Sequence, residues 1–255
     1  MSLYNYHTHT SRCRHAVGTD EDYVIAAIES GFKVLGFSDH SPMIFDDGHE
    51  SGFRMLIKDT DDYVKSIRHL QEKYKDKIDI KLGFELEYLP KLFDRIIDYL
   101  NQFDYDYLIL GQHFTDNEYE ASAHYCGSAT IQKKHLDKYI AQALDGLKTG
   151  KFAYIAHPDL IKYKGPDSIY KDRMTYFCRE IKKLGYPIEF NKYGYTDRRN
   201  YPDRRFWEIA AEVGNDVIIG FDAHYPDSLR ELDVYNEMKQ YLNSLGIHPF
   251  ESIEI

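Results

Sequence analysis

Two histidines one residue apart, His7-Thr8-His9, stand near the start of the chain, and Asp222-Ala223-His224 repeats that spacing near its end. Side chains on an extended backbone repeat every two residues, so each pair presents both groups to one side. Between them lie His40 in Phe37-Ser38-Asp39-His40, Glu85 in Gly83-Phe84-Glu85, His113 in Gly111-Gln112-His113-Phe114 and His157 in Ala156-His157-Pro158-Asp159. Imidazole and carboxylate without thiolate form a donor set suited to zinc, manganese or iron in a hydrolytic role. The donors exceed what one ion can use, so two or three divalent ions are expected. A carboxylate such as Glu85 can bridge ions about 3.5–4 Å apart.

These residues share one place in the pattern of elements. Short apolar runs predict strands at Leu3–His7, Lys33–Asp39, Asp79–Glu85, Tyr105–Leu110, Phe152–His157, Pro187–Asn191 and Asp216–Asp222. Segments of helical period lie near 20–30, 60–75, 91–101, 130–148, 168–184, 203–213 and 229–244. Thr19 is placed to cap the first helix and Gly31 to end it. Strict alternation predicts an α/β fold with parallel strands and helices outside. Every candidate ligand then falls at the C-terminal end of a strand, and Glu189 and Asn191 end the sixth. In a barrel those ends meet at the face where such folds build active sites. An open doubly wound sheet also fits the alternation. Its usual ligand signatures, GxGxxG, GxxxxGK[ST] and GxSxG, are missing from the chain.

With 255 residues and 43% hydrophobic content, the chain can bury one sizeable core, and a single domain over 1–255 is the simplest account. Against 42 acidic residues stand 32 basic ones, a net charge of −10. That counts against a nucleic-acid binder, which needs a basic stripe to displace counterions. No apolar run is long enough to span a membrane. The start, Met1 to Tyr6, has no basic and apolar regions of a signal peptide. Cys13, Cys126 and Cys178 are odd in number and far apart, which argues against a disulfide framework. The reading is a cytoplasmic protein, and the sequence leaves its oligomeric state open.

Other constellations are plainer. Ser38-Asp39-His40 spells a hydrolase triad in a row, but strand neighbours point apart and cannot form one. Cys13 lies near Arg12 and Arg14 and is read as a packed thiol. His49, His69, His124, His135 and His248 are read as incidental. The stretch 41–59 is a long irregular loop suited to covering a site. After the sixth strand come Arg198 and Arg199, then Arg204 and Arg205; an arginine there could hold a phosphate with two parallel hydrogen bonds.

At His7-Thr8-His9-Thr10, Cys13-Arg14-His15-Ala16, Gly36 through Pro42, Gly83-Phe84-Glu85 with Tyr88, Phe103 through Tyr107, His113-Phe114, His157-Pro158-Asp159 and Asp222-Ala223-His224, the chain resembles the PHP (polymerase and histidinol phosphatase) family. It is most similar to the stand-alone histidinol-phosphatases of that family, over almost its whole length. The resemblance implies a distorted seven-stranded (β/α) barrel, akin to a TIM barrel, with a trinuclear metal centre. By that pattern His7, His9, Glu85 and Asp222 hold one ion. Glu85 bridges to a second held by His113 and His157, while His15, His40 and His224 hold a third; His15 is owed to the resemblance alone. The sequence departs from the pattern at Asn191-Lys192-Tyr193-Gly194, where the family often has Asn-Thr-Ser-Gly followed closely by Arg, and at Phe221, where Ser is common.

The expected activity is hydrolysis of L-histidinol phosphate to L-histidinol and phosphate, in histidine biosynthesis. Glu85 and Asp222 would serve the centre and Asp159 is the candidate acid. Arg198 is the expected phosphate clamp, with Arg199 and Asn191 as further substrate contacts. Alternatives are a phosphatase of the same family acting on phosphotyrosine or nucleotide ends, and a metal-binding protein without turnover.

Overall fold

The structure is a computed structural model that describes residues 3–255; Met1 and Ser2, and the part of the signal-peptide reading that rests on them, lie outside the described residues. Seven strands appear: β1 (Leu3–Asn5), β2 (Phe32–His40), β3 (Asp79–Leu86), β4 (Tyr107–Leu110), β5 (Tyr154–Ile155), β6 (Ile188–Asn191) and β7 (Val217–Gly220). They pair in chain order, every ladder parallel. The sheet curls into a nearly closed barrel. β1 and β7 share no ladder, and the residues just beyond them close the seam. His9 donates its backbone N–H to Ala223 at 2.9 Å, and Ala223 donates to the His7 carbonyl at 3.1 Å.

The helices are α1 (Asp20–Glu29), α2 (Thr60–Tyr74), α3 (Phe93–Leu100), α4 (Lys133–Lys148), α5 (Asp167–Leu184), α6 (Lys192–Thr196), α7 (Arg204–Val213) and α8 (Leu232–Ser244). Thr19 caps α1 with a reciprocal bond to Asp22, and Gly31 follows its end at φ +83°. Alternation along the strands sorts the apolar residues into two layers. Leu35, Phe37, Leu108, Leu110, Val217 and Ile219 join the large cluster against the helices. Val34, Tyr107, Ile109, Tyr154 and Ile218 face the barrel interior, with Tyr6. None of the described helices is long and apolar enough to cross a membrane.

Five strands (β1, β4, β5, β6 and β7) are shorter than the apolar runs suggest, and for β1 and β5 the backbone shows why. β1 stops at Asn5, because the chain beyond it turns to pair with Ala223 across the seam. β5 keeps only Tyr154 and Ile155, and at His157 the backbone enters the left-handed region at φ 29°. The loop after β6 differs in kind. Instead of extended chain, Asn191 caps the short helix α6 by accepting from the Gly194 N–H at 2.8 Å. The long loop 41–59 is irregular as expected, apart from one 3-10 turn at Ile57–Asp59.

Candidate metal centre

Strand ends carry the expected ligands to one point. Glu85, at the end of β3, is the hub. Its Oε2 lies 2.8 Å from His40 Nδ1 and 3.6 Å from both His7 Nε2 and His9 Nε2. Its Oε1 lies 2.8 Å from His157 Nε2 and 3.7 Å from His113 Nε2. Across the centre, Asp222 Oδ1 lies 3.0 Å from His9 Nε2, 3.5 Å from His7 Nε2 and 3.3 Å from His224 Nδ1. The Nε2 atoms of His15 and His224 face each other at 2.9 Å. All nine residues therefore share one cluster. The seam explains half of it, since the backbone pairing of His7 and His9 with Ala223 sets two ligand pairs side by side.

Close approach is built into the neighbouring strands. A Cβ at Gly111 would sit 1.8 Å from Glu85 Oε1, so only glycine leaves room for the carboxylate there. Gly220 makes the same room for Glu189, whose Oε1 a Cβ would meet at 1.7 Å. His157 at φ 29° and Asp222 at φ 49° hold backbone conformations that cost L-residues of order 1–3 kcal/mol, and such strain gathers at functional sites.

Most rings are fixed through Nδ1. His7 donates to Glu189 at 2.7 Å, His15 to the Cys13 carbonyl at 2.8 Å and His224 to the Asp222 carbonyl at 2.9 Å. Asp39 Oδ1 is 3.2 Å from His9 Nδ1, and Glu87 Oε1 is 3.2 Å from His113 Nδ1. Such outer partners set the tautomer and aim the other nitrogen of a metal-binding imidazole. The inner atoms are then left over. His7 Nε2, His9 Nε2, Glu85 Oε2 and Asp222 Oδ1 are buried with no hydrogen-bond partner among the described residues. Buried polar atoms are nearly always paired. Four orphans converging from three strand ends fit a divalent cation.

Electrostatics agree. Burial opposes charge on His7, yet Glu189, Asp222 and Glu85 raise its pKa to about 10. Burial also works against ionised Glu85 and Asp222, but the surrounding imidazoles hold both well below the usual carboxylate range. His40 and His224 are pushed well below the usual imidazole range, first by burial. Their lone pairs are free. Ionised carboxylates that draw a proton onto His7, beside His40 and His224 held neutral, make a site that calls for added positive charge.

The cluster floors a cavity of about 360 Å³ whose outer wall is Phe53, Phe114, Tyr125, Tyr193, Arg199 and Tyr201. The expected substrate contacts lie in different places around it. Arg199 lines the cavity, packed 4.4 Å over the Tyr193 ring and donating to its hydroxyl at 2.9 Å. Arg198 sits at φ 50° after α6 and is not part of the wall. Asn191 has no group to spare. It caps α6 and donates to Glu189 at 2.8 Å and to Asp222 at 3.0 Å, so it holds ligands in place. Asp159 faces elsewhere. Its carboxylate accepts from the Trp207 indole at 3.0 Å and the Asp203 N–H, and burial pushes its pKa up to about 7. Arg204 pairs with Glu208, and Arg205 with Asp203 and Asp167, clear of the cavity.

Asp39 and Glu87, which the sequence did not single out, and Glu189, which it placed at the sixth strand end, are the carboxylates behind the ligands. Glu85-Leu86-Glu87 carried the signal, since it repeats the period-two spacing of the histidine pair. Cys13 is buried, in keeping with a packed thiol, and burial raises its thiol pKa. It lies close enough to His15 and His224 to share an ion with them. His49 is not incidental, because it bonds Glu118 at 2.8 Å beneath the long loop.

The PHP domain model matches residues 5–193. A probable histidinol-phosphatase of Deinococcus radiodurans is 28% identical over 93% of each chain. One of Schizosaccharomyces pombe is 25% identical over 97% of this chain and 88% of its own. Among solved structures, the histidinol phosphate phosphatase of Lactococcus lactis, determined with zinc, L-histidinol and phosphate, superposes with a TM-score of 0.74 at 19% identity over the full length of both chains.

Proposed function

This chain belongs to the PHP domain family, and we propose that it is a metal-dependent phosphomonoesterase that hydrolyses L-histidinol phosphate to L-histidinol and phosphate, a step of histidine biosynthesis. The observation that carries this reading is the convergence of orphaned His7, His9, Glu85 and Asp222 atoms at the floor of a cavity with an aromatic wall. The names of the D. radiodurans and S. pombe relatives, and the zinc, L-histidinol and phosphate of the L. lactis structure, support it.

Three ions are expected, zinc foremost. His7, His9, Glu85 and Asp222 would hold one, Glu85 with His113 and His157 a second, and His15, His40 and His224 a third. When bound, divalent ions neutralise phosphoryl oxygens and lower the pKa of a water that attacks phosphorus. Glu85 and Asp222, both kept ionised, hold cations and do not supply protons. Arg199 is aligned to take a phosphoryl oxygen, already anchored through Tyr193 and Asp197. Phe53, Phe114 and Tyr201 offer planar faces to the leaving alcohol and its ring.

The test is phosphate release from L-histidinol phosphate, phosphotyrosine and a nucleoside monophosphate, before and after exhaustive chelation and zinc restoration. Preference for histidinol phosphate, lost on chelation and regained with zinc, is expected. Equal rates on all three esters would refute the substrate, and full turnover without metal would refute the chemistry.

A further inference from the structure

One buried ion pair lies behind the metal centre and does not itself line the cavity. Arg54, on the long loop 41–59, is 1% exposed, and its Nη2 donates to Glu87 Oε2 at 2.5 Å. Its Nε donates to Glu118 at 3.1 Å, which also takes His49 at 2.8 Å and the Ser51 hydroxyl at 3.1 Å. The other Glu87 oxygen serves the site. Oε1 accepts from the backbone N–H of His113 at 2.6 Å and of Phe114 at 3.0 Å, and lies 3.2 Å from His113 Nδ1. One carboxylate therefore joins the loop to a ligand and to a wall residue.

The same loop supplies the residue before Arg54. Phe53 lines the cavity, with ring centroids 5.5 Å from His40, 6.0 Å from His113 and 5.8 Å from Phe114. The Arg54 guanidinium lies 4.4 Å over the Phe53 ring. As a stability device the pair is poor. Burying two charges costs several kcal/mol per ion before their attraction repays it. Arg54 Nη1 moreover has no partner among the described residues. Its yield is geometric.

We propose that Arg54 and Glu87 are positioning residues. Glu87 aims His113 Nε2 at its ion, and Arg54 holds Glu87 in that pose while seating Phe53 against the leaving group. This rests on the metal-centre reading above. Glu87 stands behind His113 as Glu189 stands behind His7, but its hydrogen bonds go to the His113 and Phe114 backbone N–H groups, with the His113 ring in 3.2 Å contact rather than in an aligned hydrogen bond. Glu189 is held by Asn191 and the His157 backbone, which adjoin the centre, whereas Glu87 is held by a loop that also forms the cavity wall.

The experiment measures zinc dissociation from the loaded protein by chelator competition, with kcat and KM alongside. Glu87→Gln keeps the volume and should weaken one zinc about 10–100-fold, leaving the others bound. Arg54→Met should give a similar loss. If Arg54 acts through Glu87, Arg54→Met/Glu87→Gln should be no worse than Glu87→Gln alone. Arg54→Lys should restore part of the affinity and guards against a Met variant that does not fold. In 15N-histidine spectra, the His113 Nδ1–H signal should move in Glu87→Gln. Wild-type zinc affinity in Glu87→Gln, or fully additive losses in the double variant, would overturn the proposal. Zinc affinity is read without substrate, so failure of the histidinol phosphate reading would show separately, as absent turnover by the wild-type protein.

Discussion

Gly111→Ala puts one methyl group where the hub carboxylate now sits. The added Cβ would lie 1.8 Å from Glu85 Oε1, 2.5 Å from its Cδ and 2.7 Å from its Cγ. Ordinary non-bonded contact is about 3.5 Å, so the carboxylate must withdraw by more than about 1.5 Å. Glu85 cannot yield cheaply, because it is buried and His40 and His157 lie 2.8 Å from its two oxygens. A misplacement of about 1 Å in a reacting constellation costs on the order of 100-fold. The variant should therefore lose at least one zinc by elemental analysis and about 100-fold or more in kcat. Its circular dichroism should stay native, because the clash falls on one side chain. Gly150→Ala, with nothing within 4 Å of its Cβ, is the control for glycine replacement itself. It should cost about 1 kcal/mol of stability at φ +71° and leave zinc and turnover alone. Full zinc content and wild-type kcat in Gly111→Ala would refute the hub role of Glu85.

Two further outcomes follow from the geometry. Arg199→Lys should lower kcat/KM on the order of tenfold, about 1.4 kcal/mol, with zinc content intact, whereas Arg198→Lys should be silent; the reverse pattern in steady-state kinetics would return the clamp to Arg198. Asp159→Asn should separate from wild type with pH in urea unfolding. Burial raises the Asp159 pKa from 3.8 to about 7, so the fold holds this proton more tightly than the unfolded chain. That contribution is complete below about pH 4 and is lost as pH rises to about 7. Relative to wild type, the variant should gain as much as about 4 kcal/mol between pH 4 and 8. A pH-independent difference would show that Asp159 ionises normally.

The clustering of the candidate ligands, His15 apart, was legible because strand period and strand end are local properties. An apolar run fixes where a side chain emerges, and parallel alternation places all such ends on one face. The rule failed where the backbone leaves the strand. Extended chain would put Asp159 on the same side as His157, but His157 adopts φ 29° and Asp159 swings to Trp207 instead. After β6, five residues of helix replace the extended chain, and Arg199 rather than Arg198 lines the cavity. The carboxylates behind the ligands were illegible for another reason. Glu189 reaches His7 across 182 residues of sequence and Asp39 reaches His9 across 30. Closure of the sheet brings Glu189 of β6 to His7, and the β1–β2 ladder brings Asp39 to His9.

Closure itself depends on the ligand segments. β1 and β7 are short and never pair as strands, and the seam is held by His7, His9 and Ala223 backbone bonds with a bond from Phe221 N–H to the Asn5 side chain. His7 and His9 carry donors themselves and Ala223 sits between Asp222 and His224, so the backbone joining the barrel and the donors for the first ion belong to the same few residues. A regular ladder would have carried the chain straight past the centre. At the irregular seam Asp222 turns into the left-handed region and faces the His7 and His9 rings. The distortion of the barrel and the convergence of its ligands are thus one structural event, and the strain at Asp222 is the local cost of both.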